Sequence, residues 1–193
     1  MSPQVSTRAL PRIDQWVGAL RVRRAGLTDP ERVAELDLLI EHLVAEGERD
    51  LARTLATVSP HGTYHSWGGS GPYTATTAQQ AELYHQALDA SPHTFDLAME
   101  VERFHSGQDG ICMDGVLHKQ ATREEVEERG LAVPDAAHEV FVMSRRMALF
   151  VSYVDGLLIG EDMYRDDHAD VVTADAWAVA RPHLGTGPRE ESA

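Results

Sequence analysis

The chain has a single cysteine, Cys112, in 193 residues, and it has no run of about 20 apolar residues. One cysteine excludes an intramolecular disulfide framework and is typical of proteins in a reducing cytoplasm. The N-terminus also lacks the apolar core of a signal peptide. These absences predict a cytoplasmic protein that has no membrane partner.

Basic residues are scarce as well, with 17 Lys and Arg against 31 Asp and Glu, which gives a net charge of -14. Such a surface repels a phosphate backbone, so we expect no nucleic-acid partner. The local basic run Arg21, Arg23 and Arg24 is too short to change that expectation. Glycine-rich phosphate loops and serine-nucleophile motifs are also missing, which excludes the enzyme classes that depend on them.

The order of the predicted elements favours an α+β fold. Helical apolar spacing, the start signal at Asp29-Pro30 and the capping box Thr77-x-x-Gln80 predict helices over 11–24, 30–47, 48–57 and 77–90. Period-2 patterns then predict four strands in two hairpins, the first formed by 94–105 and 110–120 and the second lying within 145–167. This order predicts a curved antiparallel sheet with helices over one face.

The second hairpin has the strongest local signal, Asp155-Gly156 between alternating apolar residues. With Val154 and Leu157 beside the turn, counting outward places Met147 opposite Tyr164 and Arg145 opposite Asp166. The face that carries these four residues has the longer apolar run, so we take it as the inner face of the sheet.

This hairpin resembles the last hairpin of the NTF2-like superfamily, in particular the SnoaL-like group of polyketide cyclases. The matching residues are Tyr153, Asp155, Gly156, Leu158, Tyr164 and Asp166. The resemblance covers residues 30–167 and implies a cone-shaped fold, in which helices and a curved sheet enclose an interior open at one end. An extension with an extra helix, 1–29, and a tail, 168–193, fall outside it. The tail is predicted to form a short helix over 173–181 and to be disordered from Gly185 onward.

The resemblance implies a cofactor-independent acid–base enzyme, of the cyclase, isomerase or dehydratase type. Its substrate would be a small hydrophobic carbonyl or polycyclic metabolite. By the same match Asp166 is the base that removes a proton next to a carbonyl; a salt bridge with Arg145 is the alternative role. Tyr153, Tyr164 and Arg145 are then predicted to bind the substrate. The resemblance also implies a homodimer formed through the outer sheet face, where Phe150, Ile159 and Met163 are expected.

Four further candidates come from the segment 61–71, HGTYHSWGGSG. His61 and His65 are four residues apart, so in an extended segment they share one face and could perform acid–base catalysis near neutral pH. Tyr64 and Trp67 lie beside them and are predicted to bind the substrate. Two alternatives stay open: a loop with exposed histidines, or the start of a metal site, although no third ligand is evident and we predict no metal.

Asp114 and His118 are four residues apart on one predicted strand. With Asp109-Gly110 as the turn, Val101 pairs with His118, which places the imidazole on the apolar face as a catalytic candidate and Asp114 as a binding candidate. The alternative is a structural role, in which Asp114 and His118 both lie at a margin of the sheet. If His61, His65, His118 and Asp166 meet in one enclosed apolar cavity, an enzyme is favoured over a non-catalytic ligand-binding or dimerisation module. If they scatter over the surface, the enzyme interpretation fails.

Overall fold

The computed structural model describes residues 10–68, 72–91, 93–135 and 137–185. The chain forms, in order, α1 (Ile13–Arg24), α2 (Pro30–Gly47), α3 (Leu51–Ala56), β1 (Thr63–Trp67), β2 (Tyr73–Thr76), α4 (Thr77–Ala90), β3 (Leu97–Gly107), β4 (Gly110–Thr122), α5 (Arg123–Glu128), β5 (Val140–Val154), β6 (Leu157–Arg165), β7 (Asp170–Thr173) and α6 (Ala174–Ala180). Among the described residues, no helix is long and apolar enough to cross a membrane.

One seven-stranded sheet organises the molecule, in the order β2-β1-β6-β5-β4-β3, and β7 pairs with the first half of β5. The predicted α+β architecture, a curved sheet with helices over one face, is confirmed. Two features differ. The sheet has seven strands instead of four, because β1, β2 and β7 are added, and β1 runs parallel to β6. Local hairpin signals do not predict this pairing, since β1 and β6 are about 100 residues apart and a parallel pair needs a long crossover.

The helices α2 and α4 begin at the predicted residues, whereas α1 begins at Ile13 instead of residue 11 and α3 at Leu51 instead of residue 48. Asp29 caps α2 by accepting a hydrogen bond from the backbone N–H of Glu31, and Pro30 is its first residue. The capping box of α4 is formed by Thr76 and Gln79, one residue earlier than predicted. The predicted disorder from Gly185 onward concerns residues that lie, after 185, outside the described part of the chain.

The main core lies between α1, α2 and the sheet surface that they cover, which we call the inner face; the opposite surface is the outer face. Its buried members include Trp16, Leu20, Leu36, Leu39, Leu43, Met99, Met113, Leu149, Val151 and Leu158. The extra N-terminal helix therefore contributes to the same core as α2. The boundaries drawn at residues 29 and 167 stay predictions, although β7 of the tail joins the sheet.

The register of the last hairpin follows the prediction only near its turn. Val154 pairs with Leu157 and Tyr153 with Leu158, but Val151 then pairs with Glu161 instead of Gly160. Gly160 is the extra residue of a β-bulge: its φ is 111°, and a Cβ there would lie 1.9 Å from the backbone oxygen of Thr63.

The bulge reverses the faces of all residues beyond it. Inner positions are taken by Glu161, Met163 and Arg165, and outer positions by Asp162, Tyr164 and Asp166. The predicted pairs Met147–Tyr164 and Arg145–Asp166 are therefore wrong: Met147 pairs with Arg165, and the backbone N–H of Asp166 donates to the carbonyl of Arg146. The predicted role of Asp166 as the base requires its side chain to lie on the inner face.

The first hairpin also differs from the predicted register. Gly107 pairs with Gly110 around a turn at Gln108-Asp109, and a bulge follows between Val101 and Arg103. His118 consequently pairs with Ala98, not with Val101. The inner positions of β4 are those of Met113, Gly115, Leu117 and Lys119, so Asp114 and His118 face outward.

Candidate acid–base site on the inner face

His61 and His65 lie on one side, as their spacing predicts, but that side is the outer face. Both line an open groove with Phe150, Ile159 and Asp162. His65 Nδ1 lies 2.6 Å from Asp162 Oδ1. The alternation along β1 explains the placement, because Tyr64 and Ser66 are buried on the inner face.

Exposed aromatic rings continue this outer surface. Trp67 stacks on Tyr164 with ring centroids 4.4 Å apart, and Phe150 meets Tyr164 edge-on at 5.8 Å. The three side chains are 37%, 46% and 43% exposed, respectively. We call Trp67, Phe150, Tyr164 and Ile159 the outer aromatic patch.

Asp166 and Asp114 line a neighbouring groove of the outer face. Asp166 is exposed, and its carboxylate accepts a hydrogen bond from the backbone N–H of His168 at 3.0 Å. Asp114 pairs with Arg103 at 2.6 Å. Asp166 is solvated and Asp114 is held in an ion pair, which are different settings from the poorly solvated base that the sequence interpretation requires.

His118 is fully buried between the sheet and α6. Its Nδ1 lies 2.8 Å from Ser144 Oγ, its Nε2 lies 3.7 Å from Glu100, and its ring meets Trp177 edge-on at 5.5 Å. Burial, followed by the positive charge of Arg181, lowers the pKa of His118 to about 4. The imidazole is therefore neutral near pH 7 and packs beneath α6 on the outer side of the sheet.

The four predicted catalytic residues thus do not meet in one cavity, so the enzyme interpretation that depended on their convergence fails. Of the predicted binding residues, Tyr64, Tyr153 and Arg145 occupy inner positions, whereas Trp67, Asp114 and Tyr164 occupy outer ones.

The inner face carries a set of ionisable groups that sequence reasoning missed. We call His42 and Glu46 of α2, Glu161 of β6 and Tyr84 of α4 the inner cluster. His42 Nε2 lies 3.6 Å from Glu46 Oε1 and 3.9 Å from Glu161 Oε1, while its Nδ1 lies 2.7 Å from Thr57 Oγ1. The Tyr84 hydroxyl donates a hydrogen bond to the same Glu46 oxygen.

Two hydroxyl groups flank this cluster on the sheet. Tyr64 is next to Glu161 on the inner face of β1, because His65 pairs with Asp162. Tyr153 lies on β5, two residues beyond the partner of Glu161, and its buried hydroxyl has no hydrogen-bond partner in the described part of the chain. Burial, with Glu161 contributing, raises the pKa of both phenols, so both remain protonated.

The electrostatics of the inner cluster suit proton transfer near neutral pH. Burial, reinforced by Glu46, raises the pKa of Glu161 to about 7. Burial disfavours the charged form of His42, but the carboxylates of Glu46 and Glu161 outweigh that effect and raise its pKa. A carboxyl group whose pKa lies near the ambient pH can both accept and return a proton.

Two local signals could have identified these residues. His42 and Glu46 lie three and seven residues after Leu39, on the buried stripe of α2, where a charged residue calls for an explanation. Gly160 interrupts an apolar strand pattern, which is a known mark of a bulge.

Among the described residues, no group of three or more His, Cys, Asp or Glu side chains is arranged to hold a metal ion.

No family model and no curated protein matches the sequence. Several solved structures, however, resemble the fold of this chain. A candidate SnoaL-like polyketide cyclase from Shewanella putrefaciens CN-32 aligns with a TM-score of 0.56 at 10% identity, over 76% of this chain and 87% of that one. A second one, from Shewanella denitrificans OS-217, aligns with a TM-score of 0.51 at 10% identity, over 68% and 90%. The chain therefore has the NTF2-like fold, in the form found in SnoaL-like proteins.

Proposed function

We propose that this protein is a cofactor-independent acid–base enzyme that moves a proton next to the carbonyl of a small hydrophobic molecule, with Glu161 as the base. One observation carries the proposal: a carboxyl group with a pKa of about 7 is buried on the inner face, beside a second carboxyl and an imidazole. Names of structural neighbours, which include polyketide cyclases, agree with small-molecule chemistry on this fold.

In the first step the ionised Glu161 takes a proton from the carbon next to the carbonyl. The C–H electron pair moves toward the carbonyl oxygen, and an enolate forms. The Tyr153 hydroxyl is the group suited to stabilise that oxygen, because it is a buried donor without a partner among the described residues. Glu161 then returns the proton to another carbon, which is an isomerisation. Alternatively, the carbanion attacks a second carbonyl, whose π electrons move to its oxygen, and that alkoxide takes the proton from Glu161, which is a cyclisation.

The other groups of the cluster tune the base. Glu46, held by the Tyr84 hydroxyl, opposes ionisation of Glu161, whereas a protonated His42 favours it. This balance places the pKa of Glu161 near neutrality instead of leaving it permanently protonated. Tyr84 and His42 are thus positioning residues in this proposal, and Glu161 and Tyr153 contact the reacting atoms.

The test uses 2-tetralone, a bicyclic ketone with acidic hydrogens next to its carbonyl, in deuterated buffer, with NMR detection of deuterium incorporation. We expect the protein to accelerate exchange and Glu161→Gln to lower the rate by about 10² or more, the usual scale of general-base loss. Asp166→Asn is the matched carboxylate-to-amide change at the base that the sequence resemblance implies. Loss of exchange in Asp166→Asn with full exchange in Glu161→Gln would reverse the assignment.

A non-catalytic module is the second candidate, because the outer aromatic patch suits docking to a second copy and such docking does not depend on catalysis. The module requires no base. Exchange no faster than in buffer alone, by protein whose circular dichroism shows it to be folded, would support the module and overturn the enzyme.

A further inference from the structure

Three cations occupy inner positions on neighbouring strands, at the end of the sheet away from the Asp155-Gly156 turn. Lys119 lies on β4, Arg145 on β5 and Arg165 near the end of β6. Arg145 pairs with Leu117, two residues from Lys119, and Arg165 pairs with Met147, two residues from Arg145. The three side chains therefore form a diagonal line on one face, which we call the cationic row.

All three side chains are partly buried, which is unusual for neighbouring like charges in a chain of net charge -14. Burial lowers the pKa of Lys119, Arg145 and Arg165, and the positive charge of Arg129 lowers it further in each case. The charge of Arg165 also lowers the pKa of Lys119 and Arg145. Grouping cations in this way costs folding free energy. Such a cost is often associated with a site that binds an anion.

Three carboxylates face the cationic row. Glu125 of α5 lies 3.8 Å from Lys119, a distance beyond a direct hydrogen bond. Asp166 and Asp167 act on Arg145 from the exposed end of the hairpin.

The polar surroundings of Arg165 leave one donor unused. Its Nη2 donates to Ser66 Oγ at 2.5 Å, and Tyr73 lies opposite Ser66 on β2. Its buried Nε has no hydrogen-bond partner in the part of the chain that the structure describes. An N–H of a guanidinium fork that is buried and unpartnered suits the planar oxygens of a carboxylate.

We propose that the cationic row binds a carboxylate of the substrate, so that the enzyme acts on a hydrophobic carboxylic acid. This inference rests on the proposed function of Glu161. Glu161 and Arg165 share the inner face of β6 and are four residues apart, which is about 13 Å along a strand. In the proposed substrate, that distance separates the carboxylate at Arg165 from the reacting carbon at Glu161.

Binding of 2-naphthoate and of its neutral isostere 2-naphthamide, measured by isothermal titration calorimetry, tests the carboxylate site without needing turnover. We expect naphthoate to bind at least about tenfold more tightly, and Arg165→Gln or Arg145→Gln to remove that preference. Arg165→Lys keeps the charge and should retain part of it. The matched control is Arg146→Gln, because Arg146 is the next residue on β5, faces outward and pairs with Glu102.

Equal affinities for the acid and the amide, or an unchanged preference in folded Arg165→Gln and Arg145→Gln, would overturn the carboxylate site. Displacement of naphthoate by an equal concentration of inorganic phosphate would also overturn it, in favour of a phosphate ligand. Glu161→Gln separates the two proposals, since it should abolish exchange on 2-tetralone and leave naphthoate binding intact. Naphthoate binding that depends on Arg165, without any Glu161-dependent exchange, would retain the carboxylate site and contradict the enzyme.

Discussion

His42 Nε2 lies 3.9 Å from Glu161 Oε1, and both side chains are buried between α2 and β6. Together with Glu46 they place three ionisable groups in one apolar layer. Removing two carboxylates and an imidazole from water costs folding free energy unless the three groups share protons. The raised pKa values of Glu161 and His42 mean that the folded state retains protons at these groups.

The first prediction is a pH dependence of stability that Glu161 controls. The pKa of Glu161 rises from 4.5 to about 7 on folding, so the folded protein binds more protons in that interval and its unfolding free energy falls as pH rises through it. The raised pKa of His42 acts in the same direction. Glu161→Gln should reduce this pH-dependent decrease in the unfolding free energy by about 2 to 3 kcal/mol.

Urea denaturation between about pH 5 and about pH 8 measures this difference. Glu82→Gln is the matched control, because Glu82 is exposed on α4 and should leave the wild-type pH profile unchanged. Parallel profiles for the wild type and Glu161→Gln would mean that Glu161 titrates alike in the folded and unfolded states.

The second prediction concerns the bulge at Gly160. A methyl group there would lie 1.9 Å from the backbone oxygen of Thr63 and would also require a φ of 111°. Gly160→Ala should therefore cost about 3 kcal/mol or more of unfolding free energy.

Gly156→Ala is its control in the same hairpin. Gly156 also has a positive φ, 77°, but no atom lies within 4 Å of its added Cβ. Gly156→Ala should lower the unfolding free energy by only about 1 kcal/mol, which is the cost of the positive φ alone. Equal costs in the two variants would show that close approach of Thr63 does not select glycine at position 160.

Gly160 also shows which features of the last hairpin could be predicted from the sequence and which could not. Turns and helix starts depend on neighbouring residues, so Asp155-Gly156 and Asp29-Pro30 were found from local patterns. Counting outward from a turn assumes that every residue pairs. One unpaired residue, stabilised by contact with β1 from far along the chain, reversed the faces of Glu161 and Asp166.

The inner cluster depends on contacts of the same non-local kind. The helical periodicity of α2 places His42 and Glu46 on its buried side, yet only the packed fold brings Glu161 and Tyr84 to them. Conversely, His61 and His65 do share a face, and the sequence could not tell which face it is. The parallel pairing of β1 with β6 decides that, and no local pattern encodes it.

The third prediction is a homodimer through the outer face. The sequence interpretation placed Met163 there, but the bulge turns Met163 inward, and Trp67 and Tyr164 supply the apolar area instead. An exposed aromatic centre with surrounding charges suits a two-fold interface. Phe150→Glu should raise the dimer dissociation constant at least about tenfold, since it buries an unpaired charge.

Sedimentation velocity at micromolar concentration measures the dimer. Val22→Glu, the same charge placed at an exposed apolar site of α1, should leave it intact. A 21.3 kDa species alone in the wild type would contradict the dimer.

The last prediction concerns His118 and the attachment of α6. The pKa of His118 falls from 6.5 to about 4 on folding, because burial and Arg181 disfavour the imidazolium. The unfolded chain therefore binds more protons between these values, and the unfolding free energy is lost as pH falls from 6.5 toward 4. The imidazolium would be buried beneath α6 and close to the positive charge of Arg181 at the end of that helix, so α6 should be the element that loosens.

His118→Gln can still bond to Ser144 and does not titrate, so it should reduce this acid loss by about 2 kcal/mol. The measurement combines urea denaturation from about pH 7 to about pH 4.5 with amide hydrogen exchange of α6. His85→Gln changes an exposed histidine of α4 and should follow the wild-type profile. Equal protection of α6 at both ends of the range, with parallel profiles for wild type and His118→Gln, would show that protonation of His118 does not control the attachment of α6.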